Sequence, residues 1–221
     1  MKKFLLMFTV LGLTLSLSSK VFAKTFTTEK DVAANTTITV DNFTKTTTYV
    51  FPVVNYNDVS KDEKLQYMPD YKNPDGFMAY NPIVYYMKAT SDSKNNKQIF
   101  NWTFTFVSDY DVNNRWVASA IYDSNGNALF SMTEAEIEAR REALINDENQ
   151  SNLLYVYEGI TKVAKYTSDN KMVVSREYLE AAKDSGLVLR ATVLRTNSAD
   201  PEYRFFHIPS YYIQAILDTV K

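Results

Sequence analysis

Hydrophobic and polar residues alternate most regularly between residues 98 and 108. Four aromatic residues, Phe100, Trp102, Phe104 and Phe106, occupy every second position of this segment. A period of two is that of a β-strand, because successive side chains point to opposite faces of a sheet. The pattern predicts a strand with one buried aromatic face. Its register should be well defined, since a slip of one residue would expose all four rings.

Shorter apolar runs predict further strands on both sides of this one. The clearest turn between them, residues 123–127, reads Asp-Ser-Asn-Gly-Asn and predicts a hairpin. Pro52 lies inside a predicted strand, which should therefore be at a sheet edge or bulged, since proline cannot donate to a ladder. We place the strands at 98–108, 116–122 and 128–130 in the centre of the main sheet. The predicted strands are 36–40, 46–54, 83–89, 98–108, 116–122, 128–130, 153–157, 160–166, 172–174, 187–196 and 206–208.

One pattern occurs twice in the last fifth of the chain. A run of three mostly apolar residues, 172–174 or 206–208, is followed by a helix-start signal and then by a short amphipathic segment. The start signals are Ser175 in the first copy and Pro209 with Ser210 in the second. Gly186 follows the first copy, where the end of a helix favours a residue that tolerates positive φ. Each copy predicts a strand followed by a short helix.

A third helix is predicted from a capping box, in which the side chains of Thr133 and Glu136 satisfy the first backbone groups of the helix. Few of its residues are apolar, which is typical of a surface helix. Residues 24–35 are polar and are predicted to be an irregular lead-in. The predicted helices therefore lie near 133–145, 176–184 and 210–220.

These elements predict a β-rich α+β fold, with roughly eight to ten strands in one antiparallel sheet or a β-sandwich and about three short helices. The 16 tyrosines, 13 phenylalanines and 2 tryptophans agree with this class, because aromatic residues favour sheets and bury large areas. Residues 24–221 are predicted to form one domain. The polar segment 146–152 is the only candidate boundary within it.

The first 23 residues have the parts of a secretory signal peptide. Lys2 and Lys3 form the positive start, residues 4–17 are mostly apolar, and Ala23 ends a segment suited to cleavage. An N-terminal membrane anchor is the alternative, but the apolar part is shorter than a spanning helix requires. We therefore expect cleavage after Ala23, a periplasmic or secreted mature chain of bacterial style, and no stable membrane span in it.

Composition excludes several function classes. The chain has no cysteine, so disulfides and a lipid-modified cysteine are impossible and packing alone must stabilise the exported protein. The formal net charge is −2, and removal of the signal peptide would take away lysines but no acidic residue. A mildly acidic chain without basic runs is not typical of a protein that binds nucleic acid or an anionic membrane.

Metal and cofactor chemistry find little support in the sequence. His207 is the only histidine, so a zinc site of the usual ligands is not expected. Asp109-x-Asp111-x-Asn113 resembles the first half of a calcium loop, but Asn114 replaces the required glycine and Ala120 the required glutamate. Glycine-rich phosphate loops are absent too. We predict no cofactor and no metal.

Paired carboxylates are the one catalytic arrangement that the sequence leaves as a candidate. No serine lies in a G-x-S-x-G elbow, and a Ser-His-Asp triad would have to use His207, which reads as an ordinary strand residue. Glycoside hydrolysis needs two carboxylates held a few ångströms apart. Asp109, Asp111, Asp123 and Glu158 lie near predicted strand ends, where such pairs often occur, but a chain with 26 acidic residues makes such coincidences common.

The segment 55–82 has no clear period and is rich in tyrosine and proline. Loops of this length in compact domains are often functional. Tyr67, Tyr71 and Tyr80 are the candidate ligand-binding residues, because tyrosine offers a flat apolar face and a hydroxyl to a sugar ring or a peptide. The alternative, which the high tyrosine content favours, is that these rings cover a sheet edge or the core.

The leading functional hypothesis is an exported, non-catalytic binding or interaction protein of the bacterial envelope. Its partner would be an unknown envelope protein or a polysaccharide. A carboxylate-dependent glycan hydrolase is one alternative, and it requires two acids facing one cleft. A structural or assembly subunit is the other, and it predicts a self-associating sheet edge.

Overall fold

Two antiparallel sheets and short helices make up the fold, as the alternating pattern predicts. The computed structural model describes residues 26–55, 83–109, 115–146, 153–158 and 161–221, and of these it describes 55, 107–109, 153–158 and 161–168 by their backbone alone. The predicted signal peptide lies outside these ranges. The strands are β1 Thr37–Asp41, β2 Thr46–Val50, β3 Val54–Asn55, β4 Ile83–Asp92, β5 Lys97–Asp109, β6 Trp116–Asp123, β7 Ala128–Ser131, β8 Leu153–Glu158, β9 Thr161–Val174, β10 Leu187–Arg195 and β11 Glu202–Ile208; the helices are α1 Glu29–Ala34, α2 Glu134–Ile145, α3 Arg176–Ala182 and α4 Ser210–Thr219.

The larger sheet has seven strands in the order β1-β2-β4-β5-β9-β8, with β3 paired to β4. The smaller sheet has four strands in the order β11-β10-β6-β7. The strand at 98–108 is central, as predicted, but the strands at 116–122 and 128–130 are β6 and β7 of the other sheet, so their placement in the main sheet was wrong. The pairing partner of β6 in that sheet, β10, is far away in the sequence, and the sequence pattern carries no information on that pairing.

The predicted aromatic face of β5 is confirmed. Its four alternate aromatic side chains are at most 1% exposed. Phe104 and Phe106 pack against Phe206 of β11, with ring centroids 5.2 and 6.4 Å apart. The two sheets thus contribute to one continuous buried cluster, which also includes residues of all helices except α2. The candidate boundary at 146–152 falls almost wholly outside the described residues.

Helix α4 lies in the middle of this core. Five of its residues are buried, among them Tyr212 and Ile213. The Tyr212 ring contacts Phe51, Tyr85 and Trp102 at centroid distances of 6.3, 5.7 and 5.7 Å. Its hydroxyl donates to the carbonyl oxygen of Pro52 at 2.8 Å and accepts from the Met87 backbone N–H at 3.4 Å. One side chain therefore joins α4 to the inner face of the larger sheet.

The predicted strand 46–54 is interrupted at residues 51–53, around Pro52. Val50 pairs with Lys88 and Val54 with Tyr85, so this strand advances four residues where β4 advances three, and the extra residue is the predicted bulge. Before the interruption β2 is paired on both sides, with β1 and β4, whereas β3 after it pairs with β4 alone in the described part of the chain. The carbonyl group of Pro52 is used by the Tyr212 hydroxyl. The proline ends the ladder of β2, as its missing N–H requires, and positions an acceptor for α4.

The lead-in at 24–35 is not irregular throughout, because it contains α1, the one helix that the sequence pattern missed. Thr28 is its N-cap and accepts from the Asp31 backbone N–H. Val32 is fully buried, and the Tyr211 hydroxyl of α4 donates to the Phe26 carbonyl oxygen at 2.6 Å. A helix of six residues is not stable by itself, so contacts with α4 decide its formation.

The other three helices are confirmed within one or two residues. The capping box of Thr133 and Glu136 is present, and only Leu144 of α2 is buried. Arg140 fixes this surface helix by donating to the Asp169 backbone carbonyl of β9 at 2.8 Å. No helix in the described ranges is both long and apolar enough to cross a lipid bilayer.

Candidate functional site

The most unusual side chain outside the core is Arg190, in the middle of β10. Alternate residues of β10 are buried, and Arg190 lies on the opposite, outer face of the smaller sheet. Strand β10 is paired with β6 on one side and with β11 on the other, and Arg190 has a tyrosine neighbour on each of these two strands. Tyr122 is directly across on β6, and Tyr203 is diagonal to it on β11. The guanidinium carbon lies 5.0 Å from each ring centroid.

Two tyrosine rings thus flank the Arg190 guanidinium, an arrangement stabilised by attraction between the cation and the ring faces. These ring contacts do not provide hydrogen-bond acceptors for the N–H groups of the guanidinium. Within the described part of the chain, Arg190 has neither a hydrogen-bond partner nor an ion-pair partner, and its Nε atom is buried without one. A buried donor without an acceptor costs about 1–3 kcal/mol, so a ligand acceptor that reached this guanidinium would relieve the cost.

A cavity of about 240 Å³ lies beside this guanidinium. We call it the Arg190 groove. Its lining combines one cation with mostly apolar strand residues and a polar turn, and it consists of Tyr122, Asp123, Ser124, Gly126, Val188, Leu189, Arg190 and Phe205. A concave, mainly apolar site with a few placed polar groups is the usual form of a small-molecule site.

Asp123 supplies the negative charge of the groove, but its oxygens are already used. One oxygen accepts from the backbone N–H groups of Asn125 and Asn127, both at 2.9 Å. The other accepts from the Asn127 side chain at 3.0 Å and from the Tyr178 hydroxyl at 3.4 Å. Burial opposes ionisation, but these hydrogen bonds outweigh it and hold the pKa of Asp123 below its ordinary value. The carboxylate is therefore ionised and holds the β6–β7 hairpin.

The Tyr178 hydroxyl belongs to α3 and connects that helix to the hairpin through Asp123. Burial, followed by the nearby Asp123 carboxylate, raises the pKa of Tyr178. The phenol therefore stays protonated and donates at neutral pH. It fixes the turn side of the Arg190 groove.

The sequence-predicted ligand residues Tyr67, Tyr71 and Tyr80 lie outside the described residues, as does Asp111. Asp109 and Glu158 are described by their backbone alone, so the predicted pairing of carboxylates stays a prediction. Of the four candidate acids, Asp123 is the one whose side chain is described.

His207 is a packing residue of β11. It is 4% exposed, its Nε2 atom lies 3.4 Å from the Ser185 carbonyl oxygen, and its ring covers Gly186. The chain around Ser185 thus encloses the only imidazole. In the described ranges, no group of three or more His, Cys, Asp and Glu side chains lies close enough to hold a metal ion.

The sequence pattern did not predict the Arg190 groove, because the side chains of Tyr122, Arg190 and Tyr203 come from strands that are far apart in the sequence. One signal was present: Arg190 is a charged residue within the apolar run of β10, and a charge in a buried strand needs a partner. The hairpin at residues 123–127 was predicted and forms one wall.

No protein-family model, curated protein or solved structure matches this chain. The chemistry of the Arg190 groove is therefore the basis of a functional proposal.

Proposed function

We propose that the protein is an exported, non-catalytic binding protein of the bacterial envelope that holds an anionic ligand in the Arg190 groove. The observation that carries this proposal is the Arg190 guanidinium, which two tyrosine rings orient while its N–H groups lack acceptors in the described part of the chain. Guanidinium forms its strongest hydrogen bonds with carboxylates and phosphates. The predicted signal peptide supports the exported location.

The groove is better suited to holding a ligand than to transforming it. A general base needs a free lone pair within reach of the proton it removes. The Asp123 oxygens accept four hydrogen bonds from its own hairpin and from α3, so this carboxylate is occupied. The remaining lining contributes two hydroxyls, from Tyr122 and Ser124, and otherwise mostly apolar or aromatic surface.

The Arg190→Gln variant tests this function. Purified protein is heated in a series of small carboxylates, phosphate and sulfate at constant ionic strength. At least one anion should raise the unfolding temperature of the wild type saturably, since a ligand at about 100 times its Kd adds about 2.7 kcal/mol. Arg190→Gln should lose this response. Lys171→Gln is the matched control, because it removes a cation from an exposed position of the larger sheet, and it should respond as the wild type does.

Two results would contradict the proposal. One is the absence of saturable stabilisation by every anion, and the other is an equal response of the wild type and Arg190→Gln. NMR spectra of a stabilising ligand incubated with the protein show whether the ligand is chemically converted. Conversion would contradict only the claim that the protein is non-catalytic.

A specific observation favours a second candidate function, that of an assembly subunit. Strand β1 is the first strand of the larger sheet, and no strand of the described part of the chain pairs with its outer edge. All five residues of β1 are exposed, including Ile38 at 53% and Val40 at 59%. Edges of this kind are usually protected by charge, proline or a covering element. In an antiparallel pair of two copies centred on Thr39, Ile38 of each copy would face Val40 of the other.

Self-association through β1 is measured by light scattering across a concentration series. The assembly candidate predicts that the average mass rises toward that of a dimer, and that Val40→Lys abolishes the rise because it places a charge in the pairing strand. Val173→Lys is the control. Val173 is similarly exposed, at 65%, but it lies on β9, which β2, β4 and β5 separate from β1 in the sheet. A single-chain mass at all concentrations would reject this candidate.

A further inference from the structure

We infer that the ligand of the Arg190 groove is a small organic monocarboxylate with an apolar or aromatic body. This inference rests on the proposed binding function and specifies the ligand class. Three features of the groove carry it: the way in which the guanidinium is enclosed, the charge balance of the lining, and the shape and chemistry of the remaining wall.

The first feature is the position of the two rings. The central carbon of the guanidinium lies over the Tyr122 ring and over the Tyr203 ring, 5.0 Å from each centroid. These contacts hold the guanidinium in place, and its N–H groups are the part that forms directional hydrogen bonds with a ligand. A carboxylate is itself planar and accepts two parallel hydrogen bonds in the guanidinium plane. A tetrahedral phosphate or sulfate places its remaining oxygens outside that plane.

The second feature is the charge balance. Arg190 is the only cation among the residues that line the groove, and the ionised Asp123 carboxylate lines it too. A monoanion neutralises Arg190 and leaves the groove with the single negative charge of Asp123. Phosphate near neutral pH and sulfate carry additional negative charge, which Asp123 would repel at short range in a partly buried site.

The third feature is the apolar part of the lining. Val188, Leu189 and Phe205 line the groove with apolar surface. The cavity of about 240 Å³ is smaller than the roughly 300–1,000 Å³ usual for drug-sized ligands. A carboxylate joined to one ring or to a short branched chain satisfies both size and polarity.

Isothermal titration of the full protein with benzoate, isovalerate, galacturonate, phosphate and sulfate tests the inference. Benzoate or isovalerate should bind most tightly. Arg190→Lys should weaken this binding roughly 10- to 100-fold, because lysine keeps the charge but cannot form the paired planar hydrogen bonds. Tyr203→Phe preserves the flanking ring and should bind as the wild type does. Tyr203→Ala removes the ring at a half-exposed position and should weaken binding. Thermal unfolding of each variant checks that it is folded.

The outcomes separate the ligand class from the binding function. Preference for phosphate or sulfate with dependence on Arg190 overturns the carboxylate inference and leaves the binding function intact. Preference for galacturonate overturns the apolar body and points to a polysaccharide as the source of the carboxylate. Equal binding by the wild type and Arg190→Lys overturns planar recognition. If no anion in the set binds, both the ligand class and the proposed function are wrong.

Discussion

Truncation of Tyr212 to alanine is expected to lower the free energy of unfolding by about 3–5 kcal/mol, the range measured when a large buried aromatic side chain is removed. Tyr212 is fully buried between Phe51, Tyr85 and Trp102. Its removal leaves a cavity at the point where α4 contacts the larger sheet. Because domains of this size are stable by only about 5–15 kcal/mol, the variant should retain only a small free energy of unfolding at 37 °C.

Tyr212→Phe separates the hydroxyl from the ring. It keeps the packing but leaves the Pro52 carbonyl oxygen and the Met87 N–H without this partner, at a cost of about 1–3 kcal/mol. Denaturant unfolding of the wild type and both variants gives the three free energies. An alanine variant as stable as the phenylalanine variant would show that the ring contributes nothing to the core.

The same hydroxyl predicts a sensitivity to alkaline pH. Burial raises the pKa of Tyr212 above its ordinary value of 10.0, so the phenol stays neutral in the folded chain while it ionises in the unfolded chain. Its contribution is therefore complete below about pH 10 and falls as pH rises toward the folded pKa, by about 1.4 kcal/mol per pH unit. The wild type should lose stability above pH 10 more steeply than Tyr212→Phe does. Parallel curves would contradict the burial of an intact phenol.

Much of the fold follows from local pattern, and the failures have a common physical origin. The period of two in β5 and the caps of α2 and α3 depend on residues close together in the chain, and these elements are where the pattern predicts them. Helix α1 is too short to form alone and depends on Tyr211, almost the whole chain length away. The assignment of β6 to the smaller sheet depends equally on pairing with distant β10.

The candidate site follows the same rule. Tyr122, Arg190 and Tyr203 become neighbours only when β6, β10 and β11 pair in their observed register. Tyr122 and Tyr203 are ordinary residues of their own strands, and the charge of Arg190 within an apolar run does not indicate which side chains surround it, so single-sequence periodicity cannot combine the three. The turn at 123–127 is local and was predicted, whereas its role as a wall of the groove comes from the pairing of β6 with β10.

The second large effect is expected at Gly186, at the end of α3. Its φ is +76°, a conformation that costs a residue with a Cβ atom about 1–2 kcal/mol. A Cβ atom would also lie 2.4 Å from His207 Nε2 and 2.5 Å from the Ile208 carbonyl oxygen. The carbonyl is fixed in the β10–β11 ladder, where Ile208 pairs with Leu187. Gly186→Ala must therefore push two paired strands apart or displace the buried imidazole.

Gly126 offers a matched control for this substitution. Its φ is +82°, but a Cβ atom there would meet nothing within 4 Å, so Gly126→Ala should cost only the backbone strain of about 1–2 kcal/mol. Gly186→Ala adds to the same strain an overpacking cost of about 1–3 kcal/mol, giving a loss of about 2–5 kcal/mol in denaturant unfolding. The difference between the two variants measures the steric contact alone, because the strain is common to both. Equal losses would mean that β11 yields without cost, and would contradict the close packing of His207 and Ile208 on the end of α3.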